Sequence, residues 1–399
     1  QEKYHSDELF PFFDGLIPEG WLLDLVHKNW KISKNDRMSL LLTACRDCIG
    51  ATHVLNDAES PSLDRGFQDM SSFHSIDKVT HIENTMSQCL VCMEILNSNE
   101  NLYHSKCAME LFGFSYAPQV QVSITDLERL ALMQLNQRLT LTGVQKKLSL
   151  SVITENRKAK LTVVNLDGRF ILKPSTEIYP EMALIEHLSM KLAKLQDIPV
   201  ASCGLVYLNS GQLAYLTKRF DRNGSEKILM EDFCQLSQKS TEKKYTGSTE
   251  GLGKVIDQYS AQPQDDKLTL FQMILFSFWI GNADMHLKNF SLWREPSTQL
   301  IRMSPGYDFL STRLLIPESE DNEEMALPIN GRKNKLRWSD FISLGKNLGI
   351  QEKVLLAVRD KMLDQFFAAT EMVEKSFLSE NMKEKFLDIL IERSERLGG

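Results

Sequence analysis

The spacing of apolar residues changes period several times along the chain, and each change predicts an element. Residues 9–55 hold a compact apolar segment that opens with Phe10-Pro11-Phe12-Phe13. Within it, residues 36–44 have the spacing of a short amphipathic helix with Asp36 near its start. Residues 58–86 thin out into Ser, Asp, Asn and His, the pattern of a linker. A short cysteine-rich stretch, 87–116, follows, and residues 126–133 return to helical spacing. From Lys147 the period becomes two, with Leu148, Leu150 and Val152 alternating with Ser149 and Ser151. Residues 161–164 and 169–173 read as further strands around a turn at Asp167-Gly168. Residues 180–195 set Met182, Ile185, Leu188, Leu192 and Leu195 on one helical stripe, with Pro180 in the first turn. Strands are predicted again at 200–208 and 212–220, joined by Asn209-Ser210-Gly211. Beyond Glu231 nearly every segment has helical spacing. A sheet with one helix, followed by an all-helical half, predicts two lobes with a cleft between them.

Charge and composition narrow the function. The 399 residues carry 46 Lys+Arg against 53 Asp+Glu, a net charge of −7. That balance argues against a protein whose main task is to coat nucleic acid, which needs a positive surface. The longest apolar run, 268–280, is too short to span a bilayer and carries Gln272. The first eight residues are charged and hold no signal-peptide core, so the expectation is a cytoplasmic chain with no membrane contact. Seven cysteines are an odd number without the layout of a disulfide framework. Cys45 and Cys48 lack a second pair nearby and read as core thiols, as do Cys203 and Cys234. Cys89-x2-Cys92-x11-His104-x2-Cys107 is different, because two paired knuckles of soft ligands fit a tetrahedral structural Zn²⁺ site. Lys106 is the sole basic residue between the ligands, which favours a structural role over a nucleic-acid finger. The other histidines, His187 among them, have no partners at ligand spacing.

The sharpest chemical signal is Gly281-Asn282-Ala283-Asp284-Met285-His286-Leu287-Lys288-Asn289. Phosphoryl transfer needs an acceptor for the substrate's hydroxyl proton and, close by, an oxygen ligand for Mg²⁺. Protein-kinase catalytic loops meet that need with an Asp and an Asn five residues later. Lys288, between the two, can neutralise charge on the transferred group. Read alone, the run is equally a polar loop capping a helix that ends near Ile280. Three other features fall in the order the kinase template requires. Lys173 ends a strand, Glu186 lies thirteen residues later at the edge of a helical stripe, and Asp308 follows a Pro305-Gly306 turn within Tyr307-Asp308-Phe309-Leu310. Each alone would be a surface charge or a turn. Together they predict an α+β, two-lobed protein-kinase-like fold with a β-rich N-lobe and an all-helical C-lobe. A lone Gly143 stands where that template has G-x-G-x-x-G, and Leu310 where it has Gly.

The sequence resembles the HipA family, toxin serine/threonine kinases of bacterial toxin–antitoxin operons. The resemblance is carried by Thr142-Gly143-Val144-Gln145-Lys146-Lys147-Leu148-Ser149-Leu150, Phe170-Ile171-Leu172-Lys173-Pro174, Thr217-Lys218-Arg219-Phe220-Asp221-Arg222, Glu231-Asp232-Phe233-Cys234-Gln235, Lys244-Tyr245, the 281–290 run and Ser304-Pro305-Gly306-Tyr307-Asp308. It implies ATP and Mg²⁺ in the cleft, with Asp284 as base and Asn289 and Asp308 on the metal. The loop Thr142, Gly143, Val144, Gln145, Lys146 and Lys147 would cover the nucleotide, and Lys173, held by Glu186, would meet phosphate. Lys218, Arg219 and Phe220 would lie beside the adenine, Tyr307 would precede the metal carboxylate, and His286 and Lys288 would lie near the phosphates. Family members autophosphorylate a hydroxyl residue just before this loop, a role that falls here to Thr140 or Thr142. A phosphate there would add about −1.5 to −2 charge beside ATP.

The opening segment resembles the small N-terminal subdomain of HipA proteins, which in some operons is a separate protein, HipS, that restrains a shorter kinase, HipT. The implied organisation is a HipS-like subdomain (1–57), a linker (58–86), a zinc-knuckle segment (87–116), a kinase N-lobe (117–222) and a helical C-lobe (223–399). The implied function is that of a growth-arresting toxin that phosphorylates a translation component, an aminoacyl-tRNA synthetase. The implied partner is a HipB-like helix-turn-helix antitoxin through which the acidic chain meets DNA. Two other classes share parts of the pattern: a small-molecule kinase, and a catalytically silent kinase-fold regulator. The presence of Lys173, Asp284, Asn289 and Asp308 together argues against the silent form. The basic run at 330–335 mildly favours a macromolecular target.

Overall fold

The alternation that begins at Leu148 becomes the central strands of a six-stranded sheet. The computed structural model of the chain describes residues 88–120, 122, 147–155, 158–164, 168–176, 178–224 and 226–398, which belong to one compact unit. The helices expected at 36–44 and 126–133, with Cys45 and Cys48, lie outside these residues. The first half of the described chain carries α1 (Ser105–Phe112), β1 (Gln119–Val120), β2 (Leu148–Glu155), β3 (Lys158–Val163), β4 (Phe170–Pro174), α2 (Met182–Leu195), β5 (Cys203–Tyr207) and β6 (Leu213–Lys218). The strand order is β1-β3-β2-β4-β6-β5, antiparallel except between β1 and β3. Leu148, Leu150, Leu161, Leu172, Leu205 and Leu216 are buried on it, as period-two patterning requires. Helix α2 buries Ala183, Ile185, Leu188 and Leu192 and packs on β5 and β6. Pro180 does not lie in the helix: Glu181 is the N-cap, so the proline fixes the approach instead.

The second half carries β7 (Arg222–Asn223), β8 (Glu226–Lys227), β9 (Met230–Asp232), α3 (Phe233–Leu236), α4 (Thr249–Tyr259), α5 (Pro263–Trp279), β10 (Ser291–Arg294), β11 (Ile301–Met303), α6 (Trp338–Asn347), α7 (Glu352–Asp364), α8 (Phe366–Glu374) and α9 (Glu380–Gly398). Helix α5 begins with Pro263 at its first turn and holds most of the apolar run. Leu270, Phe271, Ile274, Phe276 and Phe278 are all buried, which makes it the core of this half. Among the described residues no helix is long and apolar enough to cross a membrane.

The all-helical expectation for this half needs one correction. Strands β9, β10 and β11 form a three-stranded antiparallel sheet in the order β11-β10-β9. These strands have three or four residues each, too short for a period to register in the sequence. What fixes them is long-range pairing, such as Leu292 opposite Glu231. Helix α9 closes the half: Arg393 and Arg396 both reach Glu324, at 2.9 and 2.7 Å, and both guanidinium groups lie over the Phe278 ring.

Candidate active site

The candidate catalytic loop begins where α5 stops. Gly281 has φ +70, and a Cβ there would come within 3.0 Å of the Arg313 Cβ, so both backbone sign and space call for glycine. The loop is pinned from below by buried Met285, Leu287 and Phe290. Thr312 Oγ1 accepts from Ala283 N at 2.8 Å, and Asn282 Oδ1 accepts from Asp284 N at 3.1 Å. Asn289 Nδ2 donates to the Asp284 carbonyl at 2.9 Å, closing the five-residue interval as a ring. With its amide donor so used, Asn289 keeps Oδ1 as the atom that can meet a cation. Asp284 is exposed at the tip, and its Oδ1 accepts from the Tyr245 hydroxyl at 2.6 Å. The Tyr245 ring meets the His286 ring edge to face, 5.0 Å between centroids. His286 is buried, with Nδ1 unpartnered. Burial first, with Lys244 adding to it and Asp284 opposing, pulls the His286 imidazole down to about 4.

The charged array lies on β4, α2 and the segment after β11. Lys173, opposite Tyr215 in the register, is buried although it lies next to the last residue of β4. Its Nζ donates to Glu186 Oε1 at 2.6 Å and also to Asp308 Oδ1. Burial opposes the ammonium charge, but Asp308 and then Glu186 more than offset it and raise the Lys173 pKa. Burial pushes the Glu186 carboxyl up to about 7 against the pull of Lys173. Burial also works against Asp308, yet Lys173 and then Lys147 hold its carboxyl below the usual range. Asp308 has φ +57, the left-handed region that Asp tolerates better than most residues. Its neighbours hold it there. Gly306 bonds Pro199 and Ala201 through its own main chain, and the buried Phe309 ring meets Phe276 at 5.1 Å. Strain at a residue this constrained is characteristic of functional positions.

The remaining expected residues divide into three groups. Lys147 is half-buried, and burial lowers its pKa while Asp308 partly restores it, so it shares the field of the array. Tyr307 is half-buried, its hydroxyl between Ser291 Oγ at 2.5 Å and the Lys288 carbonyl at 2.9 Å, with Phe220 at 6.0 Å between rings. Phe220 also meets Trp293 edge to face at 5.3 Å, which joins the β6 exit to the small sheet. Lys288 Nζ donates to Thr241 Oγ1 at 3.2 Å. Lys218 Nζ lies 3.4 Å from the Glu110 carbonyl, and Arg219 pairs with Asp221 at 2.9 and 2.7 Å. Thr140, Thr142, Gly143, Val144, Gln145 and Lys146 lie outside the described residues. Tyr245 entered the sequence reading only inside a motif. No periodicity or spacing marks a tyrosine 39 residues before the aspartate it touches.

A second cluster lies at the end of the sheet. The ligand atoms of Cys89, Cys92, His104 and Cys107 all lie within 4.8 Å of one another. His104 Nε2 is 3.0 Å from the Ile95 carbonyl, which fixes the proton there and leaves the Nδ1 lone pair toward Cys92 Sγ at 3.2 Å. The hydrogen bond from Cys92 pulls the Cys89 thiol down to about 4, against burial. Three sulfurs and one imidazole nitrogen are the donor set of a structural zinc centre. The oxygen donors of Asn289 and Asp308 suit a hard cation such as Mg²⁺. Cys203 and Cys234 are buried core thiols.

Comparison with known proteins bears on the family and the fold. The family described as HipA-like C-terminal domain matches residues 139–370, more than half of the chain, and the HipA N-terminal domain matches residues 1–55. A Haemophilus influenzae protein provisionally named a kinase is 27% identical over 284 residues, 65% of this chain and 80% of that protein. The serine/threonine-protein kinase toxin HipA of Shewanella oneidensis is 26% identical over 241 residues, 55% of this chain and 54% of that one. Among solved structures, the Shewanella oneidensis HipA complex with HipB and its operator DNA superposes with a TM-score of 0.54 at 25% identity, covering 65% of each chain. The chain thus spans just over half of the Shewanella toxin's sequence and just under two thirds of the chain in that complex. With both halves of the family's architecture matched in order, the chain belongs to the HipA family of kinases.

Proposed function

We propose that this chain is the kinase toxin of a toxin–antitoxin pair, transferring the γ-phosphoryl group of MgATP to a serine or threonine hydroxyl on a protein. The observation that carries this reading is Lys173, which bridges Glu186 on α2 and Asp308 after β11, with an exposed Asp284 on the neighbouring loop. Bound MgATP would supply the phosphoryl group and the cation held by Asn289 and Asp308. The rest falls to the chain. The Asp284 carboxylate accepts the proton of the substrate hydroxyl. Tyr245 holds that carboxylate in place, and Glu186 keeps Lys173 aimed and charged. Lys173, Lys147 and Lys288 offset negative charge as it develops. The Cys89, Cys92, His104 and Cys107 cluster would hold a structural Zn²⁺.

The partner reading rests on likeness to the Shewanella protein, whose complex contains HipB and operator DNA. A HipB-like antitoxin would bring this acidic chain to DNA in the cytoplasm. The resemblance supports an aminoacyl-tRNA synthetase as target and self-phosphorylation at Thr140 or Thr142 as an off-switch. The test is phosphosite mass spectrometry after incubation with MgATP and a bacterial lysate, beside Asp284→Asn. The expected result is phosphate on one synthetase and on Thr140 or Thr142, absent with the variant. Phosphate on metabolites alone would overturn the protein-kinase reading. Nucleotide binding with no Asp284-dependent phosphate anywhere would overturn catalysis.

A further inference from the structure

The turn between Cys89 and Cys92 presents two main-chain carbonyls to the body of the sheet lobe, and each receives a donor from it. Leu90 O accepts from Leu205 N on β5 at 2.8 Å. Val91 O accepts from His187 Nε2 on α2 at 3.1 Å. Strand β5 is the last in the sheet, so the outward groups of Leu205 have no strand partner; the knuckle satisfies both, because the Tyr103 hydroxyl donates to Leu205 O at 2.7 Å. The fit is close. A Cβ on Gly204 would lie 2.8 Å from Val91 Cγ2 and 2.9 Å from Leu111 Cδ2.

His187 is the residue after Glu186 and is 1% exposed. Its single N–H is committed to a carbonyl lying between two metal-ligand cysteines. One turn further, Lys191 Nζ donates to the Cys203 carbonyl at 2.9 Å, so the same face of α2 is tied to the knuckle and to the strand it caps. On its far side the knuckle reaches the helical half. Gln88 Nε2 donates to the Lys375 carbonyl at 2.9 Å, and Lys375 Nζ pairs with Glu94 at 3.0 Å. The helix that carries Glu186 is therefore held by a segment that would take part of its shape from a metal at Cys89, Cys92, His104 and Cys107, as small metal-binding segments do.

We propose that the metal knuckle is a clamp on the kinase centre: the loaded Cys89–Cys92 turn, acting through His187 as a positioning residue, fixes α2 so that Glu186 meets Lys173. This rests on the kinase and zinc readings above and adds a physical link between them. Loss of the metal loosens the turn, Val91 O moves off His187, and α2 loses its register against β4.

The test uses the full chain as zinc-loaded wild type, as wild type after chelation, and as His187→Phe and His187→Gln. Phe keeps the ring without its N–H, whereas Gln restores a donor. Two readouts are taken: binding of Mg²⁺ with the β,γ-imido analogue of ATP, and hydrogen exchange of the α2 amides. The expected result is that chelation and His187→Phe each weaken analogue binding about tenfold and speed exchange across 182–195. His187→Phe keeps its zinc, and His187→Gln returns to within about threefold of wild type. Wild-type affinity and exchange in both the chelated protein and His187→Phe would overturn the clamp. Failure of zinc-loaded wild type to bind the analogue is failure of the kinase reading; the exchange data then decide the link to α2 without it.

Discussion

The Tyr245 hydroxyl donates to Asp284 Oδ1 at 2.6 Å, so one of the two oxygens of the proposed base is already committed. Burial and then the bond to Asp284 raise the Tyr245 pKa, so the phenol remains a donor throughout the working pH range. A hydrogen bond to a charged group contributes about 1.5–3 kcal/mol. In the proposed reaction it would keep the remaining oxygen turned toward an incoming hydroxyl. Tyr245→Phe is expected to lower turnover about tenfold while nucleotide affinity stays within about twofold. Steady-state kinetics with ATP varied separates the two. A rise in the KM for ATP at unchanged kcat would place Tyr245 in nucleotide binding instead.

The pair formed by Lys173 and Glu186 is buried at both ends, which sets its energetic behaviour apart from a surface bridge. Removing one partner strands the other charge and costs about 3–5 kcal/mol. Lys173→Met is expected to lose that much in urea unfolding at pH 7 and to lose nucleotide binding. Replacing both ends, as in Lys173→Met with Glu186→Leu, is expected to restore at least half of the stability and none of the binding. Recovery of both properties would remove Lys173 from the site.

Much of this site was legible in the sequence because kinase chemistry fixes residue order. Lys173, Glu186, Asp284, Asn289 and Asp308 are single residues at constrained positions, and the period-two pattern around Lys173 placed it on a strand. The Cys and His spacing marked the cluster for a similar reason, since a metal site asks for a few named side chains at set distances. The sequence pattern did not reveal what depends on contacts across long separations. Strands β9 to β11 have no period of their own. His187 carries no ligand spacing because its partner is a main-chain carbonyl 96 residues earlier. The partners of the Lys218 and Arg219 side chains, the Glu110 carbonyl and the Asp221 carboxylate, carry no mark in the sequence pattern either.

His286 makes the candidate site sensitive to acid. Its imidazole faces Asp284, Lys244 and Asp308, and burial leads the shift from 6.5 to about 4. The folded value is the lower one, so the unfolded chain takes up the proton first as pH falls. The stabilising contribution is whole above about pH 6.5 and drains away toward pH 4. Between pH 7 and pH 5 the loss amounts to about 2 kcal/mol. Urea midpoints at the two pH values, measured for wild type and His286→Asn, are expected to differ in slope by that amount, with the variant flatter. Equal slopes would show a solvated, freely titrating ring.

Gly204 tests how the knuckle sits on the sheet. Its position on β5 leaves no room for a side chain: an added Cβ would meet Val91 Cγ2 at 2.8 Å, Leu111 Cδ2 at 2.9 Å and the Leu90 carbonyl at 3.2 Å. The two side-chain ends can yield a little, but the carbonyl is bound to Leu205 N and cannot move without breaking that bond. Overpacking of this kind costs about 1–3 kcal/mol. Gly204→Ala is expected to lower thermal stability by that amount while the proposed zinc is kept, because Cys89, Cys92, His104 and Cys107 are untouched. Gly204→Val is expected to push the knuckle off β5 and expose residues 88–105 to limited proteolysis. A fully stable, protease-resistant Gly204→Val would mean that the knuckle does not rest on this strand, and it would remove the path from the metal cluster to α2.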